Sequence, residues 1–224
     1  MEKYLSLLAR CPLFLGLEPS DLTAILGCLG AQEASWGRGE TIFAAGEAAT
    51  QIGVVLEGSV QIERIDYYGN RSVLGMVGAG ELFGESFACA DVASLPIDAV
   101  AAVDCRVLLL DCRRLLHTCT NACDFHNRLI YNLMKILAAK NLAFHQKLEI
   151  TAKRTTREKL LAYLLSEAAR HQSERFTIPF DRQALADYLA VDRSGLSAEI
   201  GKLVKEGVLT THKHEFVLQK QILS

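Results

Sequence analysis

The distribution of glycine and proline constrains this chain more than any other feature. Ten glycines (37, 39, 46, 53, 58, 69, 75, 78, 80 and 84) punctuate short apolar runs such as Thr41-Ile42-Phe43, Val54-Val55-Leu56, Val60-Gln61-Ile62 and Val73-Leu74. Beyond Leu110 neither glycine nor proline recurs until Pro179. Turn residues every few positions favour short antiparallel strands closed into a sandwich or barrel, and a stretch without them favours helix. The chain therefore reads as α+β, with an N-terminal antiparallel, jelly-roll-like sandwich or barrel (the roll) followed by helices. Tyr68-Gly69-Asn70 is a candidate hairpin turn, and Val100 to Leu110 reads as the last strand or two. Ahead of the roll, Pro19-Ser20-Asp21 starts a helix whose Leu22, Ile25, Leu26 and Leu29 recur at helical spacing.

Composition narrows the class. Half of the 224 residues are hydrophobic and 22% are charged, enough to bury the cores of one large or two modest domains. No apolar run approaches the ~18 residues a membrane span needs. Met1-Glu2-Lys3-Tyr4 lacks the basic patch and apolar stretch of an export signal, so the expected location is the cytoplasm, with no membrane partner. Seven cysteines, an odd number, point to reduced thiols rather than a disulfide scaffold. Residues 1–150 carry 12 Lys and Arg against 17 Asp and Glu, whereas residues 151–224 carry 12 against 9. Only the second segment is net basic, so it is the one suited to a polyanion.

Within the helical part, Thr120 or Asn121 can cap a long helix with Asp124 in its first turn. Ile130, Leu133, Leu137, Asn141, Phe144 and Leu148 follow one another at intervals of 3, 4, 4, 3 and 4, a coiled-coil-like seam that suits a helix lying on its own domain or, the reading favoured by a helix of ~28 residues, a dimer whose register Asn141 would fix. Lys153-Arg154-Thr155-Thr156-Arg157 is a basic break. A helix from Glu158 to about Ala169 and an extended Phe176–Phe180 come next. Asp181 then caps a helix containing Leu185, Ala186, Tyr188 and Leu189. Ala190-Val191-Asp192 turns the chain, and Arg193-Ser194 open a second helix with Leu196, Ile200, Leu203 and Val204 inward. Gly207 ends it ahead of a hairpin, Val208-Leu209 with Phe216-Val217-Leu218. Two short helices crossing at a small residue, with a tight turn and a β wing, fit a winged helix-turn-helix, whose second helix would enter the major groove of DNA, and they also fit a plain helical hairpin packed in a core.

A β-roll, a long helix and a winged helix-turn-helix, in that order, resemble the Crp–Fnr family of bacterial transcription regulators over nearly the whole chain. The motifs that carry the resemblance are Gly58-Ser59-Val60, Gly80-Glu81-Leu82-Phe83-Gly84-Glu85, and Asp181 to Leu189 leading into Arg193-Ser194. The resemblance implies three parts: a cyclic-nucleotide-binding-like effector roll (1–120), a dimerisation helix (121–150) and a winged helix-turn-helix (151–224). It implies a homodimer on a palindromic operator in double-stranded DNA, gated by an effector in the roll and able to meet the transcription machinery. By position, Arg182 and Gln183 would touch the DNA backbone, Arg193 and Ser194 would face bases, and Lys202 would add a contact. Phe83, Gly84, Glu85, Ser86, Leu95 and Pro96 would surround the effector.

The chain departs from the family in three places. The Arg-Ser pair that grips a cyclic phosphate in the cyclic-nucleotide branch falls here on Leu95 and Pro96. Glu85, matching the ribose-binding glutamate, is kept. A buried phosphate without a cation is costly, and proline has no N–H to offer, so cyclic AMP is disfavoured as effector. Leu95 and Pro96, with Phe83 and Phe87, would instead suit something less charged than a nucleotide. The iron–sulfur branch needs clustered N-terminal cysteines, where Cys11 stands alone, although Cys105 fits that branch's roll-strand position. In the second helix, Ala198 replaces an arginine and Ser194-Gly195 replace an acid, so the family half-site does not transfer.

Cys119, Cys123 and His126, with Cys105, Cys112 and His117 nearby, form a cluster with metal-binding chemistry at the start of the long helix, a place for a metal, iron–sulfur or redox group. The spacing matches no standard zinc or iron–sulfur signature, so buried cysteines and a surface histidine account for it equally well. Enzyme signatures are absent: Gly84-Glu85-Ser86-Phe87-Ala88 lies in a roll rather than at a nucleophile elbow, and Gly201-Lys202 lacks the rest of a phosphate loop. Two readings follow: an effector-gated DNA-binding regulator, or a redox- or metal-sensing Cys/His module whose helix-turn-helix makes protein contacts.

Overall fold

The structure is a computed structural model that describes residues 2–65, 67–68, 71–116 and 124–219. It divides into two compact units, residues 1–139 and 140–224, each taken by itself below.

In the first unit, helices α1 (Leu5–Leu8) and α2 (Pro19–Cys28) precede strands β1 (Gln32–Trp36), β2 (Thr41–Phe43), β3 (Gln51–Glu57), β4 (Ser59–Ile65), β5 (Arg71–Gly78) and β6 (Leu82–Phe83). Helix α3 (Glu85–Cys89), strands β7 (Asp98–Ala101) and β8 (Cys105–Asp111), helix α4 (Cys112–Leu116) and the start of helix α5 (Asp124–Thr151) complete it. The strands form two antiparallel four-stranded sheets, ordered β1-β8-β3-β6 and β2-β7-β4-β5. The glycine-punctuated runs are these strands. β4 pairs with β5 from Ser59 opposite Gly78 to Ile65 opposite Arg71, while the expected turn at Tyr68-Gly69-Asn70 includes positions outside the described residues.

Strand β3 shows why Val54-Val55-Leu56 reads as an unbroken apolar run. Ile52, Val54 and Leu56 face a core with Leu108 and Leu110 of β8 and with Leu8, Leu22, Leu29 and Leu129 of the helices. Val55 faces the interior of the roll with Phe43, Val60, Phe83, Leu95 and Val107. A strand covered on both faces has no polar side to alternate with. Helix α2 starts at Pro19, as the sequence implies, and buries Leu22, Ile25, Leu26 and the flanking Leu29. Gly58, at φ +79°, could not carry a side chain: a Cβ there would lie 2.4 Å from the Asp104 carbonyl.

Helix α5 is tied to its own unit by an internal polar anchor. Buried Asn132 donates through Nδ2 to the carbonyls of Leu13 and Leu15, each at 2.9 Å. The coiled-coil-like seam needs one correction as a consequence. Leu133 is buried with Leu129 in the core of the first unit, because this face of the helix covers β3 and β8. Farther along, Asn141, Phe144 and Leu148 are exposed, as are Tyr131 and Met134.

The second unit takes the end of α5, then α6 (Thr156–His171), β9 (Arg175–Thr177), α7 (Arg182–Leu189), α8 (Arg193–Lys205), β10 (Leu209–His212) and β11 (Glu215–Leu218). A capping box starts α6, with the Thr155 hydroxyl accepting from the Glu158 amide and the Glu158 carboxylate accepting from the Thr155 amide. Leu160, Leu164, Leu185, Leu189, Leu196, Leu203 and Phe216 form its core. The wing has three strands, ordered β10-β11-β9, so the extended piece after α6 is part of it. Val204, expected to face inward, is exposed, while Leu196, Ile200 and Leu203 are buried.

Candidate nucleic-acid interface and effector site

The reading head is built by two caps and a turn. Asp181 caps α7, its carboxylate accepting from the Ala184 amide at 2.8 Å. Ala190 takes a left-handed conformation (φ +51°) and ends α7. Asp192 then caps α8, accepting from the Gly195 amide at 2.9 Å and from the Ser194 hydroxyl. The Ser194 hydroxyl, followed by the Gly195 amide, holds the Asp192 carboxyl below the usual carboxylate range. Ala186, fully buried beside Leu196, lets the two helices approach.

This places the expected residues in different circumstances. Arg193, in the first turn of α8, is exposed, and among the described residues no ion pair engages it. Lys202, two turns on, is exposed and 3.3 Å from Glu199. Ser194 is exposed, but its hydroxyl serves the cap. Gln183 is exposed and donates to Asp187 at 2.9 Å. Arg182 is different: its guanidinium lies 5.1 Å over the Phe216 ring and donates to Thr211 Oγ1 at 3.2 Å, and burial lowers its pKa. It braces the wing from α7.

The exposed face of α8 extends beyond Arg193, Ser194 and Lys202. Ser194, Ser197, Ala198, Gly201, Lys202 and Lys205 lie at i, i+3, i+4, i+7, i+8 and i+11 and are all exposed. Such spacing puts them on one stripe, and a Cβ at Gly201 would meet nothing within 4 Å. The stripe joins two cations to a row of small side chains, so the backbone of α8 can come close to a polyanion. Lys213, exposed at φ +54° between β10 and β11, is the tip of the wing. Helical periodicity would have exposed Ser197 and Lys205, had it been applied to the polar positions as well as to the apolar ones.

In the roll, Gly84 links β6 to α3 at φ +80°, where a Cβ would lie 2.9 Å from the Phe43 ring. Glu85 opens α3 and is buried, with the Ser86 hydroxyl donating to it at 3.4 Å. Phe83 is buried with its centroid 5.1 Å from that of Phe43. Leu95 is buried in the same interior core, its amide donating to the Glu47 carbonyl at 2.8 Å. Phe83 and Leu95 thus share one apolar interior, flanked by the Gly84-Glu85-Ser86 turn. Pro96, expected beside them, is exposed. No lysine or arginine is buried among the described residues, while Glu63 and Glu85 are. A cyclic phosphate entering here would find no buried cation, so the residues present do not fit one.

The Cys/His cluster lies largely outside the described residues, Cys119 and Cys123 included. His126 is buried, its Nε2 donating to the Arg114 carbonyl at 3.3 Å. Cys112 lies 3.7 Å, sulfur to sulfur, from Cys89. Among the described residues no group of three metal-ligating side chains comes together, and no helix is long and apolar enough to cross a membrane.

The chain thus carries a β-roll followed by a winged helix-turn-helix. Residues 33–121 match the model of the cyclic nucleotide-binding domain, and residues 158–221 match the Crp-like helix-turn-helix domain. With both domains in this order, the chain belongs to the Crp–Fnr family of regulators. It is 35% identical over 79 residues to the CRP-like cAMP-activated global transcriptional regulator of Mycobacterium tuberculosis, covering 35% of this chain and 34% of that one. The alignment therefore spans about a third of the length of that curated relative. The structure of FixK2 from Bradyrhizobium japonicum superposes with a TM-score of 0.57 at 21% identity, over 86% of this chain and 94% of the other. That of the c-di-GMP-responsive global regulator CLP of Xanthomonas campestris does so with a TM-score of 0.63 at 19% identity, over 90% and 99%. At these identities the two structures share the fold.

Proposed function

We propose that this chain is a cytoplasmic, homodimeric, sequence-specific DNA-binding regulator of transcription and not an enzyme, gated by an effector in the roll other than cyclic AMP. The observation that carries the reading is the exposed stripe of α8, which presents cations among small side chains on a helix held by a capped turn. Arg193 and Lys202 neutralise phosphates or reach base edges, Ser197 and Gly201 allow close approach, and Lys213 reaches a flanking phosphate from the wing. Arg182 acts one step removed, by holding the wing in place.

Dimerisation rests on Asn141, Phe144 and Leu148, apolar and amide side chains exposed at intervals of 3 and 4 on a helix of 28 residues. A second copy would cover them and set two α8 helices against successive turns of the duplex. The absence, among the described residues, of a buried cation near Leu95 supports a neutral or weakly charged effector, and the buried Glu85 would face it.

The test is the affinity and salt dependence of duplex binding. Each lost phosphate contact lowers the slope of log K against log salt by about 0.9. Arg193→Ala/Lys202→Ala should therefore bind a mixed-sequence duplex at least tenfold more weakly, with a slope reduced by between one and two. Affinity and slope unchanged from wild type would favour the other reading, in which the helix-turn-helix makes protein contacts.

A further inference from the structure

The short helix that follows the effector turn ends on a cysteine that the proposed regulator does not use. Cys89 is the last residue of α3, the short helix opened by Glu85, and Cys112 is the first residue of α4. Their sulfurs are 3.7 Å apart, in van der Waals contact, although 23 positions separate them in sequence. Among the described residues no other two sulfurs meet: Cys11 and Cys105 are buried in separate cores, and Cys28 is exposed. We propose that Cys89 and Cys112 are a peroxide-oxidisable thiol pair whose disulfide clamps α3, and with it the Glu85 turn, to the frame of the roll.

The two partners differ in the way such a reaction needs. Cys89 is half-buried and open to a small oxidant, whereas Cys112 is sealed in the core. Contact with the Cys112 sulfur holds the Cys89 thiol below its ordinary range, and the same contact, followed by burial, pushes Cys112 up. Cys89 is therefore the sulfur that attacks, and Cys112 the one that resolves. The Cys89 thiolate attacks one oxygen of hydrogen peroxide. The O–O bond breaks, leaving Cys89 as a sulfenic acid and releasing hydroxide, which takes up the proton the Cys89 thiol gave up and leaves as the first water. The Cys112 sulfur then attacks the Cys89 sulfur, an S–S bond forms, and the S–O bond breaks. The departing hydroxide takes the Cys112 proton as water. In sum, two thiols and one hydrogen peroxide give one disulfide and two waters, and the two electrons that reduce the peroxide come from the sulfurs.

The clamp has a firm end and a yielding one. The Cys112 amide donates to the Thr50 carbonyl at 3.1 Å, and the Asp111 carboxylate accepts from the amides of Arg113 and Arg114, so α4 is fixed to β3 and β8. Helix α3 is five residues long, little more than one turn, and a turn of that length holds only through its tertiary contacts. A bond at Cys89 restrains the end of the helix that Glu85 begins. The proposal is independent of whether the chain binds DNA.

The experiment oxidises the reduced full-length protein with stoichiometric hydrogen peroxide and maps its thiols without reductant. Trypsin places Cys89 in fragment 72–106, which also carries Cys105, and Cys112 in fragment 107–113. The expected result is the loss of two alkylatable thiols and a linkage of these two fragments, reversed by dithiothreitol. The linkage should disappear in Cys89→Ser and in Cys112→Ala and persist in Cys105→Ser, and amide exchange over 85–89 should slow by about tenfold or more on oxidation. The variant at Cys89, which is half-buried, keeps the test open should the change in the core at Cys112 disturb folding. Recovery of Cys89 as a sulfinic acid, a disulfide between other cysteines, or unaltered exchange over 85–89 in the linked protein would overturn the proposal.

Discussion

Gly53→Ala is a one-methyl change whose cost can be worked from the roll. Gly53 lies opposite Phe83 in the β3–β6 pair. A Cβ there would lie 2.2 Å from Phe83 Cζ, 2.3 Å from Cε1 and 2.9 Å from Cε2. Carbon atoms in contact settle at about 3.5–4.0 Å, so the ring must move by about 1.5 Å. It cannot do so freely, since Phe83 is buried and backed by Phe43 at 5.1 Å. Overpacking of this kind costs about 1–3 kcal/mol, which in a chain of this size lowers the melting temperature by about 2–12 °C. Urea unfolding followed by the fluorescence of Trp36, the single tryptophan, which packs beside the roll core, reads the loss directly. Phe83→Leu removes the ring, and in that background Gly53→Ala should cost at least about 1 kcal/mol less. Strictly additive effects, or a Gly53→Ala cost below about 0.5 kcal/mol, would show that the ring does not fill the space above Gly53.

Other expectations bear on the turns, caps and charges. Gly58→Ala combines a left-handed backbone with a clash against the Asp104 carbonyl, so it should destabilise the roll by more than about 2 kcal/mol, with no rescue from a side-chain change nearby. Asp181→Ala removes the α7 cap and should cost about 1 kcal/mol, while Asp181→Asn should retain most of it, both read by thermal unfolding. Phe216→Leu removes the ring beneath Arg182, and faster amide exchange over β10 and β11 than in wild type would report the loosened wing. The carboxyls of Asp192 and Glu206 are held below their ordinary range, the first by Ser194 and the second by Arg157. Their stabilisation is complete above about pH 4, the range of free carboxyls, and is lost as pH falls through the lower folded values. Protection of the α8 amides, measured against an unstructured amide at the same pH, should therefore fall below about pH 4, and Arg157→Gln should lower that protection at neutral pH and shrink the acid-induced fall.

Most of the fold was legible because the relevant signals are local. Glycine-punctuated apolar runs, Pro19 at a helix start, and Asp181 and Gly207 at the ends of α7 and α8 each act within a few residues. The features that were not legible depend on distant parts of the chain. Nothing around Leu133 distinguishes a dimer seam from a face that covers the chain's own sheet, since both ask only for an apolar residue at helical spacing. Asn132 reads as a polar surface position until the carbonyls of Leu13 and Leu15 are placed beside it. The contact of Cys89 with Cys112 depends on α3 packing on β3 and α4 on the neighbouring β8, while the sequence drew attention to cysteines closer in number. Arg182 illustrates another case: the motif places it at the start of α7, and its stack on Phe216 shows only in the structure.

The central claim is that α8 reads DNA as one of a pair. Selection of bound duplexes from a random-sequence pool tests it most directly. The account predicts enrichment of an inverted repeat whose half-sites are centred about 10 base pairs apart, one turn of the duplex, with the enrichment lost in Arg193→Ala/Lys202→Ala. Enrichment of an isolated half-site would contradict the paired arrangement, and no enrichment over the starting pool would contradict the reading head itself.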